Sequence, residues 1–410
     1  MRPAVAWLAA ASLLLSACAG FRVPPIGAGG RPFAPEADER ALWARADAEE
    51  SALLERVRAY EDAGLADYLG RLADRLTPDG VRAAGGPAFS VRVLRDPALN
   101  AFALPGGRVY LHTGLLSRLE NEAQLAMIVA HEMVHVVQRH ALSLERERAA
   151  VGVARARHDD PAAAGVAGRT ARAILGPGLT LLEAAAIEGY GRHRERAADA
   201  GAVASLVRAG YDARAGAAVF ARLGSESSDP DPLEPFFLGS RRRLAERVAS
   251  TGHLLAGEPG TAPAQGGVRD TEEFQARMRP LVRDNAYEDL RAGRFARARR
   301  QLERVLAVTP GDPIAHTHVG HMHRLLAQRA REAAERAEHV RRALAAYDTA
   351  VALDATAPQP PRELGFLHYQ EGDTARARAA FERYLALAPD APDAGRIREY
   401  LVELGRGGRP

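Results

Sequence analysis

Residues 121–137 read NEAQLAMIVAHEMVHVV, and the spacing within this stretch sets the fold expected around it. Asn121 suits a helix N-cap, with Gln124 three residues on as in a capping box. Leu125, Ile128 and Val129 carry a helical period into His131. Positions i and i+4 share a helix face. His131 and His135 can therefore aim two imidazoles at one point, with Glu132 offset by one residue. That arrangement suits a catalytic zinc ion, since two histidines can hold it while the glutamate takes a proton from water. A buried helix with two hydrogen-bonded histidines would read the same way, so the pattern needs a further ligand from elsewhere.

Sixty residues after His135, residues 190–199 read YGRHRERAAD. Glu195 and Asp199 are again spaced i, i+4 and can face one cleft. Upstream, residues 100–107 read NAFALPGG, followed by Tyr110 and Thr113-Gly114-Leu115-Leu116. These motifs, in this order between about Leu65 and Val248, resemble the M48 family of zinc metallopeptidases. The resemblance implies a zincin-like domain that hydrolyses peptide bonds, with one Zn2+ on His131, His135 and Glu195. It further implies Glu132 as general base and Asp199 as the residue orienting a ligand histidine, an arrangement metal-bound imidazoles commonly require. Asn100 and Arg247 are then candidates for contact with substrate or transition state. For Arg247 a structural salt bridge is an equal alternative. In related chains a His-Pro follows the second helix; here residues 237–247 read FLGSRRRLAER, with Arg241 in the histidine's place. A guanidinium stays protonated and cannot ligate, so latency through that histidine is not expected.

The surrounding sequence organises this core. A helical period runs from about Glu36 to Leu76 and stops at Pro78-Asp79-Gly80. Alternation in residues 89–94 and two runs flanking Pro105-Gly106-Gly107 predict a small antiparallel sheet. It forms either the edge of the cleft or a paired hairpin with no substrate role. The predicted fold class is α+β, predominantly helical. A metallopeptidase domain is expected over 36–255 and a Gly/Pro-rich linker over 256–278. An α-helical domain follows over 279–405. There, Gly293, Phe295, Ala298, Leu302, Val305, Leu306 and Pro310 share offsets with Gly372, Thr374, Ala377, Phe381, Tyr384, Leu385 and Pro389. A weaker middle copy runs from Ala343 to Ala355. These offsets resemble the tetratricopeptide repeat, giving three repeats and a terminal helix near Ala394–Leu404. The extra residues of the middle copy, around Gln328–Glu338, predict a helix extension. His316, His318, His321 and His323 are expected to be surface or packing residues.

The first residues suggest a compartment. Arg2 and the apolar run Ala4–Leu15 are too short to span a bilayer and read as a signal segment, 1–17. Leu15-Ser16-Ala17-Cys18 resembles a bacterial lipobox, in which Cys18, the one cysteine of the chain, would carry lipid. The alternative is a chance cysteine near an ordinary cleavage site. Residues 18–35 are expected to be a flexible tether, and Ala19 favours the outer membrane. The expected location is therefore the periplasm of a Gram-negative bacterium, lipid-anchored. All 55 basic residues are arginine, but the formal net charge is only +3 and no nucleic-acid motif accompanies them, so no nucleic-acid partner is expected. The M48-plus-repeat combination resembles periplasmic members of the family. That implies unfolded or misassembled envelope proteins as substrates, with repeats docking substrate or outer-membrane assembly machinery. The rival expectation is a chaperone or adaptor whose repeats carry the main role.

Overall fold

The computed structural model describes residues 23–155, 190–226, 241–256 and 266–406. Cys18 and the signal segment lie outside the described residues. The chain divides into two compact units, Met1–Met278 and Arg279–Pro410.

In the first unit, the helical pattern of residues 36–76 is two helices, α1 (Ala37–Leu54) and α2 (Ala63–Leu76), followed by the short α3 (Asp79–Ala83). Asp62 caps α2 by accepting from the Leu65 N–H, which supplies the start that periodicity alone did not mark. Strands β1 (Ser90–Leu94), β2 (Ala101–Ala103) and β3 (Arg108–His112) form one sheet in the order β1-β3-β2. The expected antiparallel sheet is instead mixed. β2 and β3 form the antiparallel hairpin, Phe102 opposite Tyr110, but β1 runs parallel to β3, Val93 opposite Leu111. Period-two alternation fixes which side chains face inward, not which strands are neighbours, so strand order was not available from it. β2 is left as an edge strand.

After α4 (Thr113–Leu116), the unit is completed by α5 (Glu122–Val137), α6 (His140–Arg155), α7 (Arg192–Arg208), α8 (Ala213–Glu226) and α9 (Arg241–Ala256). Helix α5 is the centre of the unit, with every residue from Glu122 to Val136 buried. Asn121 Oδ1 accepts from the Gln124 N–H at 3.1 Å as expected of the cap.

Two expected linkers are partly structured. The tether expected through Pro35 is docked from Val23 onward. Val23 and Ile26 are buried, the Ile26 N–H donates to the Val137 carbonyl at 2.8 Å, and Phe33 stacks on Trp43. These are the apolar residues of an otherwise Gly/Pro-rich stretch. Within the expected linker 256–278, Val268 bridges to Tyr211, and helix α10 (Glu272–Arg291) already begins at Glu272.

The second unit starts within α10 and continues through α11 (Phe295–Val308), α12 (Pro313–Arg329), α13 (Ala333–Leu353), α14 (Gln359–Gln370), α15 (Thr374–Leu387) and α16 (Ala394–Gly405). The repeated small and large positions are buried together: Ala298 with Leu302 and Val305, Ala377 with Phe381 and Tyr384. Helices α12 and α13 have 17 and 21 residues, against 12 and 14 for α14 and α15. The additional residues therefore lengthen both arms of the middle hairpin. Its histidines pack: His318 stacks on Tyr287, His321 sits edge-on to Tyr347, and His323 pairs with His339. No described helix is long and apolar enough to cross a membrane.

Candidate metal centre

Helix α5 presents His131 and His135 one turn apart, with their Nε2 atoms 3.0 Å from each other. Helix α7 lies across it. It begins after Gly191, whose φ of 91° suits glycine, and Glu195 falls in its first turn. Ala198, Gly201 and Ala202 let the two helices approach closely. A Cβ on Gly201 would lie 2.8 Å from a Val134 methyl. At this separation Glu195 Oε2 is 3.3 Å from His131 Nε2, and Oε1 is 3.8 Å from His135 Nε2. The Tyr190 backbone N–H donates to Oε1 at 3.0 Å and steadies the carboxylate. Among the described residues these three form the one metal-competent cluster, all ligand atoms lying within 4.8 Å of one another.

The donor set fits a small divalent cation. Asp199, one turn beyond Glu195, places Oδ1 3.0 Å from His131 Nδ1. A proton on Nδ1 is donated to that carboxylate, which leaves Nε2, facing His135 Nε2, as the atom able to ligate. Two lone pairs and a carboxylate at these separations repel unless a cation or protons lie among them. A tetrahedral ion with ligands about 2.0–2.1 Å away would have ligand–ligand edges of about 3.3 Å, close to the observed spread.

The electrostatics separate the carboxyls. Burial pushes the Glu132 carboxyl up to about 7, which suits a proton acceptor working near neutrality. A cation held by the three ligands would favour its ionised form. Its Oε1 is buried without a hydrogen-bond partner among the described residues, while the Ala103 backbone N–H on β2 bonds to the carboxylate. Burial opposes ionisation of Glu195 and Asp199 too, but His135 and His131 hold Glu195 well below the usual range. Arg247 and His131 do the same for Asp199. For His131, burial and Arg247 act downward, yet the bonds to Asp199 and Glu195 prevail and lift it to about 9. Burial drives His135 well below its ordinary value.

Of the two expectations for Arg247, the structure contains the salt bridge. The guanidinium donates to Asp199 Oδ1 at 2.6 Å, approaches His131 Nδ1 at 3.0 Å and lies over Phe220 at 4.0 Å. It is buried behind the histidine, where it neutralises Asp199. Asn100, just before β2, is buried with no partner for Oδ1 among the described residues, and its carbonyl accepts from the His112 N–H. Arg241 opens α9, and its side chain lies outside the described residues.

Three features were not anticipated. The Tyr190 ring packs against His135, tilted by 35° with centroids 4.6 Å apart. His140 Nδ1 lies 2.7 Å from His135 Nδ1, and burial drives His140 down to about 3. The N-terminal segment walls a cavity of about 760 Å³, with Val23 and Pro25 opposite His140, Tyr190 and Arg194. His140 follows His135 by five residues, off the helical face, so periodicity could not connect them.

Comparison with known proteins agrees with these motifs. The profile of Peptidase family M48 matches residues 65–332, and a Tetratricopeptide repeat profile matches residues 330–402. A Vibrio cholerae protein assigned as a beta-barrel assembly-enhancing protease is 35% identical over 184 residues, 42% of this chain and 36% of that protein. The mitochondrial metalloendopeptidase OMA1 of Schizosaccharomyces pombe is 38% identical over 74 residues, 18% of this chain and 21% of that protein. The beta-barrel assembly-enhancing protease of Escherichia coli is 46% identical over 52 residues, 13% of this chain and 11% of that protein. The matches thus span about a third or less of these relatives' length.

Proposed function

The chain belongs to peptidase family M48, and on that premise we propose that it is a zinc endopeptidase acting on unfolded or misassembled envelope proteins. The observation that carries this reading is the convergence of His131, His135 and Glu195 beside a buried Glu132 oxygen that has no partner among the described residues. These three residues would hold the zinc. Bound there, it supplies Lewis acidity that polarises the scissile carbonyl and acidifies water.

The chain's own groups perform the remaining work. Glu132 takes the proton of the attacking water and delivers it to the leaving amine nitrogen. Asp199 keeps His131 in one tautomer and orientation, and Arg247 balances its charge. Substrate binding falls to β2. Bonds from the His112 N–H to the Asn100 carbonyl and from the Leu104 N–H to the Arg108 carbonyl flank the hairpin. By antiparallel alternation, the backbone groups of Ala101 and Ala103 then turn away from β3, the Ala103 N–H toward the Glu132 carboxylate and the Ala101 groups along the edge. An extended peptide can add to such an edge through main-chain bonds, whereas a folded protein offers no free strand. This supports unfolded substrates with little sequence selectivity.

The repeats would dock substrate or outer-membrane assembly machinery. Cys18 would carry the lipid that keeps the enzyme at the periplasmic face of the outer membrane. The tetratricopeptide repeats of this chain also favour a second reading, a chaperone or adaptor whose proteolysis is minor. Cells carrying Glu132→Gln separate the two. The protease reading predicts loss of both peptide cleavage and cellular function, and retained function without cleavage would overturn it.

A further inference from the structure

We propose that His140 is a positioning residue for His135, accepting its Nδ1 proton and so directing the Nε2 lone pair at the metal. This rests on reading His135 as a metal ligand. The observation is the 2.7 Å separation of the two Nδ1 atoms. One of them must carry the proton. Were it on His140, His135 would be protonated at Nε2, engaging that N–H with His131 Nε2 at 3.0 Å and removing the lone pair from the ligand set. With the proton on His135 Nδ1, both ligand histidines are polarised from behind: His131 by Asp199 and His135 by a neutral imidazole.

The backbone is arranged for this contact. On a continued helix, residue 140 would lie about 140° around from His135. Instead α5 stops at Val137, and Arg139 takes a φ of 55°, the one positive φ outside glycine among the described residues. Glycine ordinarily fills such a position after a helix. Here the guanidinium is buried and held by Glu39 on α1, its Nε 2.9 Å from Oε1. The turn reverses the chain, α6 begins at His140, and the Ser143 N–H donates to the Arg139 carbonyl at 3.1 Å. His140 is buried against His135, and the Tyr190 ring lies 4.6 Å from the first and 5.9 Å from the second in the order His135, His140. A strained residue at a helix end, fixed by a buried ion pair, fits a contact that serves the site.

The test is zinc affinity, measured on the full chain by competition with a chelator for the wild type, His140→Ala and His140→Asn. Asparagine Oδ1 takes the place of imidazole Nδ1 and can accept the same proton. Removing an outer partner of a ligand histidine weakens metal binding about 10–100-fold. His140→Ala is expected to show that loss, and His140→Asn to remain within about threefold of wild type by the same comparison. The metal-free melting temperatures of the two variants should match, which a packing role alone would not pair with divergent affinities. Equal zinc affinity in wild type and His140→Ala overturns the proposal, as does a folded His140→Asn as weak as alanine. A wild type that binds no zinc overturns the ligand assignment instead. Should alanine not fold, the asparagine result decides alone.

Discussion

Glu132 and Asp199 are both buried carboxyls, and their neighbours suit them to the different duties proposed for them. Glu132 has one oxygen with no partner among the described residues and is pushed up by burial; Asp199 is held between a guanidinium and an imidazole and pushed down. A base must be free to take a proton, whereas an orienting group must not be. Glu132→Gln should therefore lower cleavage by about 10²–10⁴-fold with zinc content unchanged, measured by peptide turnover alongside metal analysis. Asp199→Ala should act differently, leaving Arg247 buried and unpaired. Breaking such a pair costs about 3–5 kcal/mol, to be read from the urea midpoint, and zinc affinity should weaken as well. The double variant Asp199→Ala, Arg247→Met should recover part of the stability but not the affinity. Equal stability of the single and double variants would sink the salt-bridge account.

At the scale of elements, helix α5 was legible because its message is local: cap, period and ligand spacing all lie within seventeen residues. Glu195 and Asp199 were legible as an i, i+4 pair, though only folding shows that α7 crosses α5 closely enough for the carboxylate to reach both histidines. The contact depends on Gly201. Glycine to alanine would normally stabilise a helix by about 1 kcal/mol, but the new Cβ would press on the stiff, branched Val134. Gly201→Ala is expected to destabilise by about 1–3 kcal/mol and weaken zinc binding by moving Glu195, measured by denaturation and chelator competition. Unchanged affinity would show that α7 can shift without cost to the site. Strand order, the docked segment after Val23 and the His140 contact were not legible. Each depends on partners distant in sequence or on one backbone angle at an arginine that carries no turn signal.

At the scale of the whole molecule, the two units should respond to acid for different reasons. In the second unit, burial pushes His318 down to about 3 and His321 to about 4, against an ordinary value near 6.5. Between those limits the unfolded chain binds protons that the folded chain does not. Stability is therefore full above about pH 6.5 and falls as pH drops toward 4. Hydrogen-exchange protection of residues 313–329, corrected for intrinsic rate, should decline from pH 7 to pH 5, and less so in His318→Phe. Constant protection would contradict the assignment of buried neutral imidazoles. In the first unit the proposed zinc ligands are what acid would disturb, and there the central claim is tested most directly. Protein purified without chelator should contain close to one zinc per chain in the wild type and in Glu132→Gln. His135→Ala and Glu195→Ala should contain almost none. A wild type lacking zinc, or a zinc content indifferent to His135 and Glu195, would contradict the account.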